Sequence, residues 1–481
     1  MKRLINILII SLLLVSCSSK QDEVVILSVN DMHSHIELMP KLAYIADSLR
    51  SIYPDLLVVS AGDNRTGNVY NDKYPGGPNY PMVNLMNEMG FEVSALGNHE
   101  FDGGIDGIRF VLKNAQFPLI CSNAFFTGYP DIQIPDYVTI QRKVGGKDLN
   151  IMFLGVIETS NDGKPSAHED NMQNVDFVTA EDMIVKNLNL RNECDVFILL
   201  SHCGLTEELK FAAQYPQFDM IIGGHSHDLY TKLLDDGVLY TQSKYYLKKA
   251  TVTKLKIKDG KVVGKEATVI DLGKVNKVND RIQQLVDGYY SEPEFNVVVG
   301  HAKVPFADKK ALGAYMADAV RYLTKADIAM QNPGGVRFDS LHGGDITRAD
   351  IYNLDPFNNS LVMCEMTGRQ VEDYLVLASN NDQGCTHVSG ITYTIEYAHS
   401  DDGQSGFISA EAYLSNGQRI DRDKVYKVAL NSYMAPWAKD NCLKLEVLNM
   451  CSNDAEFLYL KDHKDIEYKD INRYKMTTVT E

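Results

Sequence analysis

From Val24 to about Leu272 the chain alternates short apolar runs with stretches of mixed polarity. VVILSV, LLVVSA, EVSAL, FPLIC, VFILLS and FDMIIG have the length of strands, whereas KLAYIADSLR, YPMVNLMNEM, GIRFVLKNA and AEDMIVKNLNL repeat their apolar positions at helical spacing. Strands that are apolar throughout and separated by helices predict an α/β fold with its sheet covered on both faces. Two hairpins interrupt the rhythm. YVTIQRKVGGKDLNIMFLGV turns at Gly145-Gly146, and KKATVTKLKIKDGKVVGKEATVIDL bends at Asp259-Gly260.

Residues 273–296, with the charged stretch NKVNDRIQQLVDGYY, read as a solvated linker helix between two bodies, 24–272 and 297–465. The second body is again α/β, with helical LGAYMADAVRYL, a strand DIAMQN, the loop PGGVR and strands SLVMCEMT and VYKVALN. Residues 466–481, containing KDINRYKMTTVTE, read as a loosely held tail.

Composition adds size and charge to this picture. A chain of 481 residues, 44% of them hydrophobic, has room for two or three domains with substantial cores and is neither disordered nor fibrous. Its 47 basic and 64 acidic residues leave a net charge of −17, which argues against a surface for nucleic-acid polymers. An acidic protein that acts on an anion has to gather positive charge locally, and metal ions are one means.

The first residues, MKRLINILIISLLLVSCSSK, stand apart from the fold. Lys2 and Arg3 precede an apolar run from Leu4 to Val15, and Leu14-Val15-Ser16-Cys17 resembles a bacterial lipobox. The run falls short of the roughly 20 apolar residues that span a bilayer. The expectation is a signal segment, residues 1–17, with lipidation at Cys17, giving an envelope lipoprotein that faces the periplasm or the cell surface and meets the membrane through its anchor alone. Seven further cysteines remain. Cys194 and Cys203 bracket a strand and lie about 30 Å apart at roughly 3.3 Å per residue, too far to bridge. Cys442 and Cys451 are the better candidates for a disulfide.

Five polar clusters follow apolar strands directly: Asp31-Met32-His33, Gly62-Asp63-Asn64, Gly97-Asn98-His99-Glu100, Ser201-His202 and Gly223-Gly224-His225-Ser226-His227. Strand ends are where α/β folds build their sites. Carboxylates and imidazoles in this number suit two divalent cations. In extended backbone alternate side chains share a face, which would aim Asp31 with His33 and His225 with His227. Gly62, Gly97, Gly223 and Gly224 allow tight turns and close approach.

D-x-H, GD, GNHE and GHSH in this order resemble the calcineurin-like metallophosphoesterases. With GNHEFD and the second body, the chain resembles the bacterial UDP-sugar hydrolase and 5′-nucleotidase family across nearly its whole mature length. The resemblance implies an N-terminal metallophosphoesterase sandwich and a C-terminal α/β substrate-recognition domain. It implies one metal held by Asp31, His33 and His227, a second by Asn98, His202 and His225, and Asp63 bridging both. The two divalent ions, zinc, manganese or similar, would promote attack of water on phosphorus. His99 would stand beside the phosphate as a catalytic cation, oriented by Asp102. Glu100 is expected to support the ligands through loop amides. His35 is expected to be a loop residue and Cys203 a packed small hydrophobe.

In the second body the resemblance assigns substrate binding to Asn332 and Arg337 of Asn-Pro-Gly-Gly-Val-Arg, to Phe357 of Asp-Pro-Phe-Asn and to Tyr433. The family's Gly-Gly-Asp-Gly turn, whose Asp binds the nucleoside sugar, is replaced by Pro436-Trp437-Ala438-Lys439-Asp440. The two rings can still sandwich a base at roughly 1 to 3 kcal/mol each, and Trp437 either fills the gap or plugs the core. Arg337 would meet the substrate, with a surface ion pair to Asp339 or Asp345 as its alternative, and Arg321 is a weaker candidate. The expected activity is hydrolysis of nucleotide phosphate esters of the 5′-nucleotidase type. A 2′,3′-cyclic-nucleotide phosphodiesterase, a nucleotide-sugar pyrophosphatase and a non-catalytic binding lipoprotein are the alternatives. The expected partner is the nucleotide or a related ester, with no protein partner.

Overall fold

The strand Lys147–Ile157 shows why the apolar runs are continuous. Ile151 and Phe153 point into one core, while Met152, Leu154 and Val156 point into another. Strand Val196–His202 divides in the same way, with Val196, Ile198 and Leu200 on one side and Phe197 and Leu199 on the other. Alternate residues face opposite ways in a strand, so a run buried on both faces is apolar at every position.

The computed structural model describes residues 22–160, 163–399 and 405–480; Cys17 and its leader lie outside them. The chain divides into two units. One contains the described residues up to Thr66 together with Asn71–Tyr290, and the other contains Gly67–Tyr70 and the residues from Ser291 onward.

The first unit has two six-stranded sheets, the sandwich that the family resemblance implies. In the first, Glu23–Val29, Leu57–Ser60, Val93–Ala95 and Leu119–Ile120 run parallel, and the ribbon of Lys249–Lys258 and Lys261–Asp271 adds on antiparallel. In the second, Lys147–Ile157, Val196–His202, Met220–Ile222 and Leu239–Ser243 run parallel between antiparallel edges Tyr137–Val144 and Leu229–Leu233. Val24, Ile26, Leu57, Val59 and Val93 of the first sheet share a core with Ile151, Phe153, Val196, Ile198 and Met220 of the second. The sheets thus cover one another on their inner faces. On the outer face of the second, Ala180 and Ile184 of helix Ala180–Asn187 and Phe211 and Ala212 of helix Leu205–Gln214 close the layer.

Both hairpin turns fall where the sequence puts them. Val144 pairs with Lys147 across Gly145-Gly146, and Lys258 with Lys261 across Asp259-Gly260. All four turn residues have positive φ, the mark of a turn that matches strand twist. Helix Asp280–Tyr290, read as a solvated linker, instead buries Ile282, Val286 and Tyr289 in the first unit, and the Tyr289 hydroxyl accepts from Asn84 Nδ2 at 2.9 Å. Its charges occupy only the outer face.

The second unit is built on a five-stranded sheet in the order His387–Ser389, Ile328–Gln331, Val425–Asn431, Ser360–Thr367, Lys444–Cys451. The terminal residues are not a loose tail. Tyr474–Thr480 pairs parallel with Ile391–His399, and Arg473 reaches both carboxylate oxygens of Asp318 at 2.7 Å. Alternating β-branched and polar residues make an edge strand that carries little apolar signal. The expected Cys442–Cys451 pairing also fails. The two flank strand Lys444–Cys451 at opposite ends, about 30 Å apart in extended backbone.

His387 is buried at the edge of this sheet with its Nε2 lacking a hydrogen-bond partner. Helix Lys309–Thr324 lies on its ring at Gly313, where a Cβ would come within 2.2 Å of the imidazole carbons. Burial, helped by Lys309, lowers His387 from 6.5 to about 4. A base held neutral in the fold stabilises it above the unfolded value, and that contribution is lost as pH falls from 6.5 towards 4. Denaturant titrations should therefore show His387→Gln removing about 2 kcal/mol of the stability loss between pH 7 and pH 5. An unchanged pH dependence would contradict this.

Candidate active site

The clusters predicted at strand ends lie just past parallel strands of the two sheets. Asp31 and His33 follow Glu23–Val29, Asp63 follows Leu57–Ser60, Asn98 follows Val93–Ala95, His202 ends Val196–His202, and His225 and His227 follow Met220–Ile222. Asp31, His33 and His227 bring one donor atom each within 4.8 Å of one another, as do Asp31, Asp63 and His202. The Oδ1 of Asn98 lies 3.0 Å from Nδ1 of His225, while its Nδ2 donates to the Ser166 carbonyl at 3.0 Å. All seven candidate ligands converge on one region of the first unit.

The convergence does not come from extended backbone, as expected. Asp31, His33, Asp63, His225 and His227 all have left-handed backbone, with φ of 49°, 47°, 52°, 75° and 61°. Non-glycine residues seldom adopt this region, and each such residue costs roughly 1–3 kcal/mol. Hydrogen bonds between the loops hold them there. The amides of Asp31 and His33 donate to the carbonyls of Gly62 and Asp63, both at 3.0 Å, and the Tyr246 amide donates to the Asp31 carbonyl at 2.7 Å.

Buried carboxylates complete the bracing. Glu100 accepts from the amides of Asp63 at 3.0 Å, Asn64 at 2.8 Å and Gly97 at 2.7 Å, as its supporting reading required. Glu208 accepts from the amides of Cys203 at 2.9 Å and Gly224 at 3.3 Å. Burial pushes both carboxyls up from their ordinary range.

The donor chemistry fits divalent cations. Nδ1 of His202 lies 2.7 Å from the Ala61 carbonyl, which can only accept, so Nδ1 carries the proton. The Nε2 of the same ring faces Asp63 Oδ2 at 3.1 Å, and against its burial the Asp63 and Asp31 carboxylates hold His202 well above its ordinary value, so that a proton stands where a cation would bind. His33 repeats the arrangement, with Nδ1 against the Thr66 carbonyl at 3.1 Å and Nε2 2.9 Å from Nε2 of His227. Second-sphere carbonyls that fix the tautomer in this way aim imidazole lone pairs at metal. Burial raises Asp31 to about 7, with the Asp63 charge adding to it, and Asp63 is held well below the carboxylate range by His202 and His99 against its own burial. Divalent charge between two such carboxylates relieves their repulsion.

His99 stands at the edge of this cluster. Its amide donates to Asp63 Oδ1 at 2.9 Å, and its Nδ1 pairs with Asp102 Oδ2 at 2.6 Å. Burial would raise Asp102, but His99, Thr66 and Arg65 together lower it, so the carboxylate stays ionised beside the ring. His35 pairs with Glu37 at 2.6 Å, and Cys203 is packed in the outer core, as expected of both.

In the second unit, Arg337 places its guanidinium over the Phe357 ring at 5.5 Å, with Nε and Nη2 buried and without partners. Asp339 pairs with Lys309 and Asp345 with His301, so neither supplies the alternative ion pair. Asn332 is buried: its Oδ1 accepts from Asn431 at 2.9 Å and its Nδ2 lies 3.4 Å from Asp382. Tyr433 is 49% exposed and meets Trp437 edge to face at 5.2 Å. The Arg321 Nε donates to the Asp327 carbonyl at 3.0 Å.

Sequence reading missed several participants. Asn30 donates to Asp31 Oδ2 at 2.6 Å, and Tyr245 stacks on His227 at 4.7 Å while Tyr246 meets His33 edge to face at 5.4 Å. Asp382 accepts from the Gly334 amide at 2.6 Å. Only the tyrosine pair in SKYYLK offered a signal, two large rings directly after a buried strand. Gly97 was noticed for its flexibility, but what it provides is space: a Cβ there would lie 2.3 Å from Asp63 Oδ1 and 2.5 Å from its amide. Gly97→Ala should lower bound metal at least tenfold, measured by elemental analysis, while Gly146→Ala at the open hairpin turn leaves it unchanged. Equal metal content in both would contradict the steric argument.

Comparison with known proteins bears on the domains that carry these residues. The family model for calcineurin-like phosphoesterases matches residues 24–229, and that for the 5′-nucleotidase C-terminal domain matches residues 298–442. The trifunctional nucleotide phosphoesterase protein YfkN of Bacillus subtilis is 24% identical over 468 residues, covering 86% of this chain and 32% of that protein. The chain thus spans about a third of that relative's length. Protein UshA of Yersinia enterocolitica is 24% identical over 532 residues, covering 93% of this chain and 92% of its own. Among solved structures, a 5′-nucleotidase precursor from Thermus thermophilus superposes with a TM-score of 0.80 at 21% identity, covering 94% of this chain and 99% of that one, and so shares the fold. With both domains matched, the chain belongs to the UDP-sugar hydrolase and 5′-nucleotidase family of calcineurin-like metallophosphoesterases.

Proposed function

We propose that the chain hydrolyses phosphate esters of nucleotides in the manner of a 5′-nucleotidase, using two divalent cations. The observation that carries this reading is the convergence of seven candidate ligands beside an oriented histidine. Asp31, His33 and His227 would hold one cation, Asn98, His202 and His225 the other, and Asp63 both. When bound, the cations supply Lewis acidity, easing deprotonation of the attacking water and neutralising charge on the phosphoryl oxygens.

The chain's own residues do the rest. The carbonyls of Ala61 and Thr66 keep His202 and His33 in one tautomer. The Asp102 carboxylate holds the Nδ1 proton of His99 and favours its charged form, leaving Nε2–H to donate to the phosphoryl group and protonate the leaving oxygen. Arg337, with two unpartnered donors, offers charge-assisted hydrogen bonds to the substrate, and Phe357 and Tyr433 offer ring faces to the base. Asn332 acts at one remove, bracing the loop through Asp382 and Asn431.

Pro436-Trp437-Ala438-Lys439-Asp440, partly in the short helix Ala435–Ala438, would stand where the resemblance puts the Gly-rich turn, and its sugar-binding carboxylate would be missing. This favours broad acceptance of phosphate esters over strict selection of a ribonucleoside. The basic and apolar leader with its Leu-Val-Ser-Cys sequence supports export and anchoring through Cys17. Among the described residues no helix is long and apolar enough to cross a membrane.

The test is phosphate release from AMP, UDP-glucose and 2′,3′-cyclic AMP by purified protein with manganese or zinc, with and without chelator. Turnover of AMP that chelator abolishes is expected; no turnover of any ester would sink the reading. His99→Asn should keep its metal and lose roughly 10²–10⁴-fold in kcat. Asp63→Ala should lose metal along with activity, and equal metal loss in both variants would refute this division of roles.

A further inference from the structure

Among the seven candidate ligands, Asn98 has one face that cannot ligate. Its carboxamide carries an oxygen with lone pairs on one side and an NH2 group with none on the other, so half a turn about its last bond would remove it from the set. The Ser166 carbonyl, 3.0 Å from Nδ2, can only accept; it requires the NH2 group on its side and leaves Oδ1 beside Nδ1 of His225. The orientation of Asn98 is then only as firm as Ser166, and Ser166 lies on an exposed loop.

Glu158 holds that loop. It follows strand Lys147–Ile157 directly and is buried, and its Oε1 accepts from the Ser166 amide. Ser160 Oγ steadies the pair, donating to Glu158 Oε2 at 3.5 Å and lying 3.1 Å from Ser166 Oγ. The Glu158 amide in turn donates to the His202 carbonyl at 2.9 Å. One residue is therefore bonded to the backbone of His202 and, through Ser166, to Asn98 and on to His225, the three side chains assigned to the second cation. Those assigned to the first are braced elsewhere, His33 by the Asp63 and Thr66 carbonyls and Asp31 by that of Gly62.

We propose that Glu158 is a positioning residue for the second cation, fixing through Ser166 which end of the Asn98 carboxamide faces the site. The inference rests on the two-cation reading above and adds a residue outside its seven ligands. What Glu158 contributes is an oxygen for one N–H, not a charge. Gln places an oxygen at the same reach and can serve; Ala cannot. Because the bond to the His202 carbonyl comes from the backbone of residue 158, Glu158→Ala leaves it in place.

Manganese is titrated into the metal-free full chain by calorimetry, and the loaded protein is examined by electron paramagnetic resonance. Wild type should take up two ions and show the exchange-coupled signal of a manganese pair. Glu158→Ala should bind one ion as wild type does and the other roughly 10–100-fold more weakly, with the signal of isolated manganese at limiting metal. Ser166→Pro, which deletes the amide N–H from the exposed loop and leaves the core untouched, should weaken the same ion. Glu158→Gln should restore both affinities and the coupled signal. Unchanged binding in Glu158→Ala and Ser166→Pro, equal weakening of both ions, or a Glu158→Gln variant as impaired as Glu158→Ala would each overturn the proposal. A wild-type chain that takes up fewer than two ions would sink the two-cation reading and this proposal with it, a failure visible before any variant is compared.

Discussion

The metal-site geometry depends on five left-handed residues that are not glycine. Asp31, His33, Asp63, His225 and His227 would each relax to ordinary backbone if their loops were free. Asp and His are among the few residue types that enter this region at all, so the chemistry and the backbone select the same side chains. What holds the loops is a set of buried amide hydrogen bonds, to Glu100 and Glu208 and from one loop to the next. The neighbouring strands, apolar on both faces, fix the positions from which these loops start.

The same bonds decide the chemistry. A backbone carbonyl at Nδ1 of His33 and of His202 turns each Nε2 toward the other candidate ligands, His227 for His33 and Asp63 for His202, where a cation can take the place of a proton. Glu100 serves structure and site at once, since the amides it binds include that of Asp63, the carboxylate proposed to bridge the cations. His99 lies one residue before Glu100 in the same turn, so a single short segment braces the candidate ligands and carries the histidine proposed as the catalytic cation.

Much of this was legible in the sequence. Continuous apolar strands announced a sheet buried on both sides, and Gly-Gly and Asp-Gly fixed two hairpins. The polar clusters at strand ends contain all seven candidate ligands, and the family resemblance supplied their grouping and the His99–Asp102 pair. That a second sheet does part of the burying came from the family resemblance and not from the apolar runs, because such a run says that a face is covered but not by what. The terminal strand escaped because YKMTTVT carries its pattern in threonines, and helix Asp280–Tyr290 because its three buried side chains are set among polar and charged residues. Glu208 and Asp382 stand in no motif of the sequence. Their importance comes from which amides the fold brings to them, and no local pattern encodes that.

The central claim, that strained loops assemble one site for two cations, is tested most directly by anomalous diffraction from crystals grown with manganese. Two peaks are predicted, one beside Asp31, His33 and His227 and one beside Asn98, His202 and His225, with the Asp63 carboxylate between them. A single peak away from Asp63, or none at saturating manganese, would contradict the account.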